Sequence, residues 1–206
     1  MKKNIYSLIL SERVVDAIDR LAYQNHTNRS NLVNQILAEY VSYETPEKRN
    51  SEVFDRIESL LGSVFQVAEA ATPTTLTLRS SLSYKYNPTV RYQVEMYRTH
   101  DVAVGELKVS MRTQNATLSL LVGQFFKLWA RIERAYHPET RLSLTDGKFV
   151  KLFVTDLSSS AAIGEGISAY IDAFDHALKS FFYLLDEPER AAEEVERTFL
   201  AADLPL

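Results

Sequence analysis

The apolar pattern at the N-terminus predicts one strand followed by two helices. From Asn4 to Leu10 the side chains alternate between two faces of a strand, one formed by Tyr6, Leu8 and Leu10, the other by Ile5, Ser7 and Ile9. From Glu12 to about Gln24, and again from Asn28 to Val41, apolar residues recur every three or four positions, as on amphipathic helices. Such a small unit cannot cover both apolar stripes within one copy, so we expect it to pair with itself.

A polar segment at Thr45–Asn50, which contains the first proline, predicts a domain boundary. It separates an N-terminal domain at residues 1–46 from a second domain at residues 51–206. The second domain is expected to open with a helix from about Ser51 to Ala70, because apolar residues again repeat at three and four. Fewer than three clean heptads are present, which favours a core helix over a coiled-coil connector.

After Pro73 the apolar period changes to two, which predicts a three-stranded antiparallel meander with one buried face. Its strands are placed at residues 76–86, 90–96 and 105–111. Residues 115–136 return to helical spacing and are apolar nearly all round, so this helix is expected to be the most buried. The prediction continues with a hairpin at 141–155, which turns at Asp146-Gly147, and a loop at 157–166. It ends with a helix from Ile167 and an acidic helix that Pro188 opens.

Charge is spread unevenly along the chain, although the net value is only −4. Residues 1–31 carry five basic and three acidic side chains, whereas residues 133–206 carry seven basic and fourteen acidic ones. A polyanion is therefore expected to meet the N-terminal end. The absence of cysteine and of a signal-like or membrane-spanning apolar run leads us to expect a cytoplasmic protein without a membrane partner.

No pattern of catalytic or metal-binding residues stands out. The four histidines are scattered, and none forms a pair at the i, i+4 spacing of metal ligands: His26, His100, His137 and His176. Gly164-Glu165-Gly166 lacks the rest of a dinucleotide fingerprint and a lysine. We therefore expect no enzyme activity, no metal and no cofactor.

Two features of the second domain leave its partner open. Its aromatic residues fit core packing better than a ligand pocket, because they stand at helix and strand spacing. The outward face of the predicted sheet is mildly basic, with Arg79, Lys85, Arg91, Lys108 and Arg112. A solvated face is the simpler interpretation, and a second contact surface for DNA or another partner is the alternative. A small-molecule or protein partner of this domain is compatible with the sequence.

With its strand, turn and helices placed, the N-terminus resembles the ribbon-helix-helix (CopG/MetJ/Arc-like) family over about 45 of the 206 residues. The resemblance is carried by the strand that ends at Leu10, the entry Ser11-Glu12-Arg13-Val14-Val15, the Ile18, Leu21 and Ala22 spacing, and Asn28-Arg29-Ser30-Asn31-Leu32-Val33. The predicted fold class is thus α+β, with an N-terminal ribbon-helix-helix in an intertwined dimer followed by an antiparallel-sheet-plus-helices domain.

The resemblance implies a homodimeric transcriptional regulator that binds double-stranded DNA. Strands from two chains would pair into a ribbon in the major groove, where Ile5, Ser7 and Ile9 would face the bases. The N-terminus of the second helix would offer the backbone N–H groups of Asn28, Arg29 and Ser30 to a phosphate, assisted by the Arg29 side chain. Lys2 and Lys3 would supply salt-sensitive phosphate contacts.

The ribbon departs from the family in its base-facing residues, which are usually polar. Two of the three positions are isoleucine, which can touch a thymine methyl group but cannot hydrogen-bond to a base. A register shift by one residue would expose Tyr6, Leu8 and Leu10 instead. The alternatives are a regulator that relies on Ser7, thymine methyls and DNA shape, and a dimerisation module without base reading, as in an interaction or plasmid and conjugation accessory protein. No residues support an enzyme.

Overall fold

The computed structural model describes residues 7–41, 43–69, 72–98, 103–157, 159–202 and 204. The chain divides into two compact units, unit 1 at Met1–Arg49 and unit 2 at Asn50–Leu206. Within the described residues the fold is mixed, with six helices and one six-stranded antiparallel sheet. None of these helices is both long enough and apolar enough to cross a membrane.

Unit 1 contains two helices, α1 (Glu12–Gln24) and α2 (Arg29–Tyr40), close to the predicted positions. Asn25 ends α1, and His26 follows in the left-handed region with a φ of 50°. The short turn that results brings the apolar stripes of the two helices together. They meet in a small buried cluster made of Ile18, Ala22 and Leu32, with Val33 packed against it.

The predicted N-terminal strand is not present in the described part of the structure. Ser7–Leu10 has no strand hydrogen bonding, and the first strand of the described chain begins at Gln66. The remainder of the predicted strand, Asn4–Tyr6, lies outside the described residues. A strand needs a neighbour to accept and donate its backbone hydrogen bonds, and the expected neighbour of this segment is a second chain.

The predicted helix at Ser51–Ala70 is wrong at both ends. Helix α3 runs over Pro46–Leu61, and the Thr45 hydroxyl caps it by accepting from the Lys48 backbone N–H at 3.2 Å. The polar segment taken for a linker is thus its first turn, where proline's missing donor costs nothing. After Gly62, the chain turns into the short strand β1 (Gln66–Glu69) instead of continuing as a helix.

Unit 2 is built on one sheet with the strand order β1-β2-β3-β4-β6-β5. Its remaining strands are β2 (Thr75–Ser81), β3 (Thr89–Met96), β4 (Gly105–Met111), β5 (Arg141–Thr145) and β6 (Lys148–Phe153). Strands β2 to β4 form the meander that the period of two predicts, although Tyr84 and Tyr86 lie in the following turn and not in the strand. Edge strand β1 loses its register between Val67 and Glu69.

The β5–β6 hairpin turns at Asp146-Gly147, where both residues have positive φ, as the sequence predicts. Helices α4 (Ala116–Tyr136), α5 (Ser160–Tyr183) and α6 (Pro188–Ala201) follow. Helix α5 begins earlier than predicted, so Gly164 lies inside it and not in a loop. A Cβ at Gly164 would lie 2.8 Å from the Cβ of Arg56 in α3, so only glycine allows this approach of the two helices.

One face of the sheet and helices α3 to α6 contribute to a single apolar core. The sheet residues on this face alternate with outward ones, and the largest fully buried side chains include Trp129, Tyr92, Tyr170, Phe125 and Phe174. The other side of the sheet, which we call the outer face, points away from this core. In its central strands it is formed by Thr77, Arg79, Arg91, Gln93, Glu95, Glu106, Lys108 and Ser110.

Candidate nucleic-acid interface

Unit 1 leaves most of its large apolar side chains exposed. Only Ile18, Ala22, Leu32 and Ala38 are buried among the apolar residues of α1 and α2. The exposed set covers both helices and the segments that flank them: Leu8, Ile9, Leu10, Val14, Leu21, Tyr23, Ile36, Leu37, Tyr40, Val41 and Tyr43. This is far more apolar surface than scattered exposed residues explain, and large exposed apolar patches are typical of interaction surfaces.

The predicted base-facing residues fall partly within the described chain. Ser7 and Ile9 are exposed, and Ile9 has no protein contact that reduces its accessibility. Leu8 and Leu10 on the opposite predicted face are exposed as well. Ile5, Lys2 and Lys3 lie outside the described residues. Among the described residues of the predicted strand, apolar side chains of both predicted faces are therefore exposed.

The N-terminus of α2 has the geometry of an anion site. The Asn28 side chain caps the helix by accepting from the Asn31 backbone N–H at 3.0 Å. The first N–H groups of a helix have no partner within it. Those of Arg29 and Ser30 make no hydrogen bond within the described part of the chain. The structure thus brings Asn28, Arg29 and Ser30 together at one helix end, where the helix dipole also favours a negative group.

The Arg29 side chain is already engaged by a carboxylate. Its Nε donates to Asp19 Oδ1 at 2.7 Å, and its Nη2 donates to Asp19 Oδ2, so the guanidinium fork is used bidentately. The hydrogen bonds from Arg29 are the main reason that the pKa of Asp19 is lowered. Because both side chains remain about half exposed, a phosphate could compete with Asp19 for the same fork. The sequence places Asp19 on the polar side of α1 but does not indicate this pair.

Unit 2 contains a buried carboxylate that the sequence analysis missed. Glu133 accepts through Oε1 from Lys151 Nζ at 2.6 Å and from Thr140 Oγ1 at 2.7 Å. Its Oε2 accepts from Tyr170 at 2.5 Å and from Trp129 Nε1 at 3.1 Å. Burial first, and the Glu133 charge second, raise the pKa of Tyr170 well above its ordinary value. Each carboxylate oxygen accepts two hydrogen bonds, so this network links α4, α5 and β6 within the core.

A second buried carboxylate, Asp175, directly precedes His176, which lines an open cleft of about 480 Å³. It accepts from Tyr92 at 2.8 Å, from the Ser80 hydroxyl at 3.1 Å and from Lys179 Nζ at 2.6 Å. Lys179 also lines the cleft, together with Ser83, His176, Ser180, Tyr183, Leu184, Arg190 and Glu194. Serine hydroxyls and a histidine line the same cleft, but within the described residues no hydrogen bond joins His176 to Ser83 or Ser180, as an activated nucleophile requires.

Comparison of the chain with protein-family models, with curated proteins and with solved structures finds no match in any of the three. Within the described ranges, no group of three or more histidine or carboxylate side chains is placed to hold a metal ion.

Proposed function

We propose that the protein is a homodimeric DNA-binding regulator whose residues 4–41 form a ribbon-helix-helix unit. The observation that carries this proposal is the imbalance of unit 1, which buries four apolar side chains in α1 and α2 while eleven large ones stay exposed in and around them. A second copy of the same unit would cover both apolar helix stripes and would give the segment at 4–10 the strand partner that a single chain lacks.

In the proposed dimer, two antiparallel strands lie in the major groove and direct Ile5, Ser7 and Ile9 toward the bases. The isoleucines contact thymine methyl groups, Ser7 hydrogen-bonds to a base edge, and DNA shape supplies the rest of the specificity. The free N–H groups at Arg29 and Ser30 bind a phosphate, and Arg29 exchanges Asp19 for that phosphate. Lys2 and Lys3 add further phosphate contacts.

The Arg29–Asp19 pair favours a second candidate function, in which the unit dimerises without reading bases. A bidentate carboxylate at the guanidinium fork competes with a phosphate, and an exposed Ile9 suits a protein partner as well as a thymine methyl group. The protein would then be an interaction or assembly factor whose ribbon-helix-helix unit holds two copies together.

Fluorescence anisotropy of the full chain on its own upstream DNA and on a random duplex, across salt concentrations, separates the two functions. For a DNA-binding dimer we expect log affinity to fall steeply with log salt, and we expect the slope to shrink by about 0.9 for each phosphate contact removed in a Lys2/Lys3/Arg29 triple alanine variant. An Arg131/Arg141/Lys148 triple alanine variant, which loses the same charge from unit 2, is the matched control and should retain the slope.

Absence of binding at low salt would favour the dimerisation function over the DNA-binding one. Sedimentation of the full chain tests what both functions share. We expect a dimer at micromolar concentration, and a monomer at all concentrations would contradict both.

A further inference from the structure

Two arginines face each other on the outer face of the sheet, Arg79 and Arg91. Arg79 in β2 and Arg91 in β3 are directly opposite in the antiparallel register. The same row continues to Gln66 in β1 and to Ser110 in β4, both uncharged. Within the described residues, neither arginine forms an ion pair with a carboxylate. Like charges in directly opposed positions destabilise a sheet, so this row has an unbalanced positive charge.

Arg91 also has a donor without an acceptor. Its Nε is buried and makes no hydrogen bond, and its Nη2 makes only a long contact of 3.4 Å to the Thr77 hydroxyl. Buried polar atoms in folded proteins nearly always have a partner, and an exception points to a water or an ion at that position. Since a second guanidinium lies on the neighbouring strand, an anion would satisfy the charge and the donor together.

The two carboxylates that β3 and β4 carry on the same face do not serve this role. Glu95 lies four residues from Arg91 along β3, which is about 13 Å in an extended strand and beyond the screening length in physiological salt. Glu95 is opposite Glu106, and Lys108 forms ion pairs with both of them. The acidic end of the outer face thus has its own cation. At the other end Glu69 of β1 is opposite Thr77, but among the described residues no ion pair joins a carboxylate to Arg79 or Arg91.

We infer that Arg79 and Arg91 form a binding site for the phosphoryl group of a small phosphorylated ligand. Two guanidinium forks present more donors than a single carboxylate can accept, whereas a dianionic phosphoryl group has three terminal oxygens for them. A long polyanion fits less well, because residues 50–206 carry 16 basic and 21 acidic side chains and the same face carries Glu95 and Glu106. The site is independent of DNA binding by unit 1.

NMR of the arginine side chains in the full chain tests the site directly. The Arg91 Nε–H resonance, assigned by its loss in Arg91→Lys, is followed during titration with inorganic phosphate. We expect a saturable shift and an affinity about tenfold weaker in Arg79→Gln, since each charge-assisted hydrogen bond contributes on the order of one such factor. Arg131→Gln removes an exposed arginine of α4 and should change the affinity by less than about twofold.

Two further titrations distinguish the sources of the phosphoryl group. Methyl phosphate, a monoester, should bind like inorganic phosphate, and dimethyl phosphate, which carries one charge and two free oxygens, should bind more weakly. A random DNA duplex should leave the Arg91 resonance in place, and its affinity should be unchanged in Arg79→Gln. If the duplex shifts this resonance and depends on Arg79, the site belongs to the DNA backbone and the small-ligand inference is overturned.

The absence of a saturable shift in the unsubstituted protein would also overturn the inference, as would equal weakening in Arg79→Gln and Arg131→Gln. Arg91→Lys keeps the charge but removes the planar fork and the Nε donor. It should weaken phosphate binding while leaving the unfolding transition nearly unchanged, which separates a binding role from a structural one.

Discussion

Unit 2 completes its core within one chain, whereas unit 1 does not. In unit 2 one face of a six-stranded sheet and four helices bury a continuous cluster that includes Trp129, Tyr92 and Phe174. In unit 1 two amphipathic helices share a buried cluster of three residues and expose most of their large apolar side chains. Because burial of apolar surface is the main favourable term in folding, unit 1 is expected to depend on association in a way that unit 2 does not.

The position of the tryptophan makes this difference measurable. Trp129 is the one tryptophan of the chain and lies fully buried in unit 2. Its fluorescence therefore reports the unfolding of unit 2, while sedimentation reports the association that we assign to unit 1.

The largest effect is expected from Glu133→Ala in unit 2. This substitution leaves Lys151 buried without its counter-ion and removes the acceptor of Tyr170 and Trp129, so we expect a loss of about 3–5 kcal/mol in the free energy of unfolding. Urea denaturation followed by Trp129 fluorescence measures it. Glu187→Ala breaks an exposed pair with Arg190 and should cost less than about 1 kcal/mol. A similar loss in both variants would show that the buried network contributes no more to the free energy of unfolding than an exposed ion pair does.

The next largest effect is expected from Leu37→Glu in unit 1. Leu37 is 52% exposed and Leu120 of α4 is 62% exposed. The same substitution should therefore affect association differently at the two sites only if another copy covers Leu37. We expect Leu37→Glu to weaken dimerisation at least about tenfold in sedimentation equilibrium, because a buried leucine contributes roughly 2 kcal/mol. Leu120→Glu should leave the association constant unchanged. Equal association constants for the two variants would show that the proposed interface does not include this face of α2.

A matched pair of helix caps gives a smaller effect that tests whether the units unfold separately. Asn28 caps α2 and Asn115 caps α4, and each side chain accepts from the backbone N–H three residues later. Replacement of either by alanine should cost about 1 kcal/mol. Asn115→Ala should lower the urea concentration at the midpoint of the Trp129 fluorescence transition. Asn28→Ala should leave that midpoint unchanged and lower the urea concentration at which half of the dimer dissociates. A common shift of both midpoints would mean that the chain unfolds as one unit.

The smallest effect concerns the titration of Asp19. The hydrogen bonds from Arg29 lower the pKa of this carboxyl, so the pair stabilises the folded state above the unfolded-state value of about 3.9. This contribution is lost as the pH falls from about 4 through the lowered pKa. Carbon-detected NMR titration should show the pKa of Asp19 returning toward the ordinary value in Arg29→Gln. An unchanged value in that variant would contradict the pair.

The sequence predicted elements whose signal is local and missed contacts that depend on the fold. Alternation from Leu76 to Met111 predicts the meander, because a strand with one buried face alternates apolar and polar residues. Asp146-Gly147 predicts the hairpin turn, because this residue pair favours the positive φ angles that the turn requires. The predicted helix at 51–70 is misplaced because Pro46 opens α3 and Gly62 follows its last residue. Proline at a helix start and glycine after a helix end are the usual roles of these residues.

The predicted site was accessible to sequence reasoning only in part. The Asn28 cap could be read from residue type and spacing. The Arg29–Asp19 pair could not, because it joins two helices through a turn whose geometry depends on His26 at positive φ. The buried Lys151 had a usable signal, since it shares the core-facing parity of Phe149 and Phe153 in β6. Its partner Glu133 had no such signal, since only the packing of α4 on the sheet brings it to Lys151.

The two edges of the sheet determine whether strands of other molecules can add to it. A foreign strand that added to β1 would meet a ladder that loses its register between Val67 and Glu69, so few consecutive hydrogen bonds could form. At the opposite edge, Arg134 donates to the Leu142 carbonyl of β5 at 3.3 Å and engages an acceptor that an incoming strand would use. Both edges are thus poor templates for polymerisation, so association through the proposed N-terminal strand would not compete with fibre growth from this sheet.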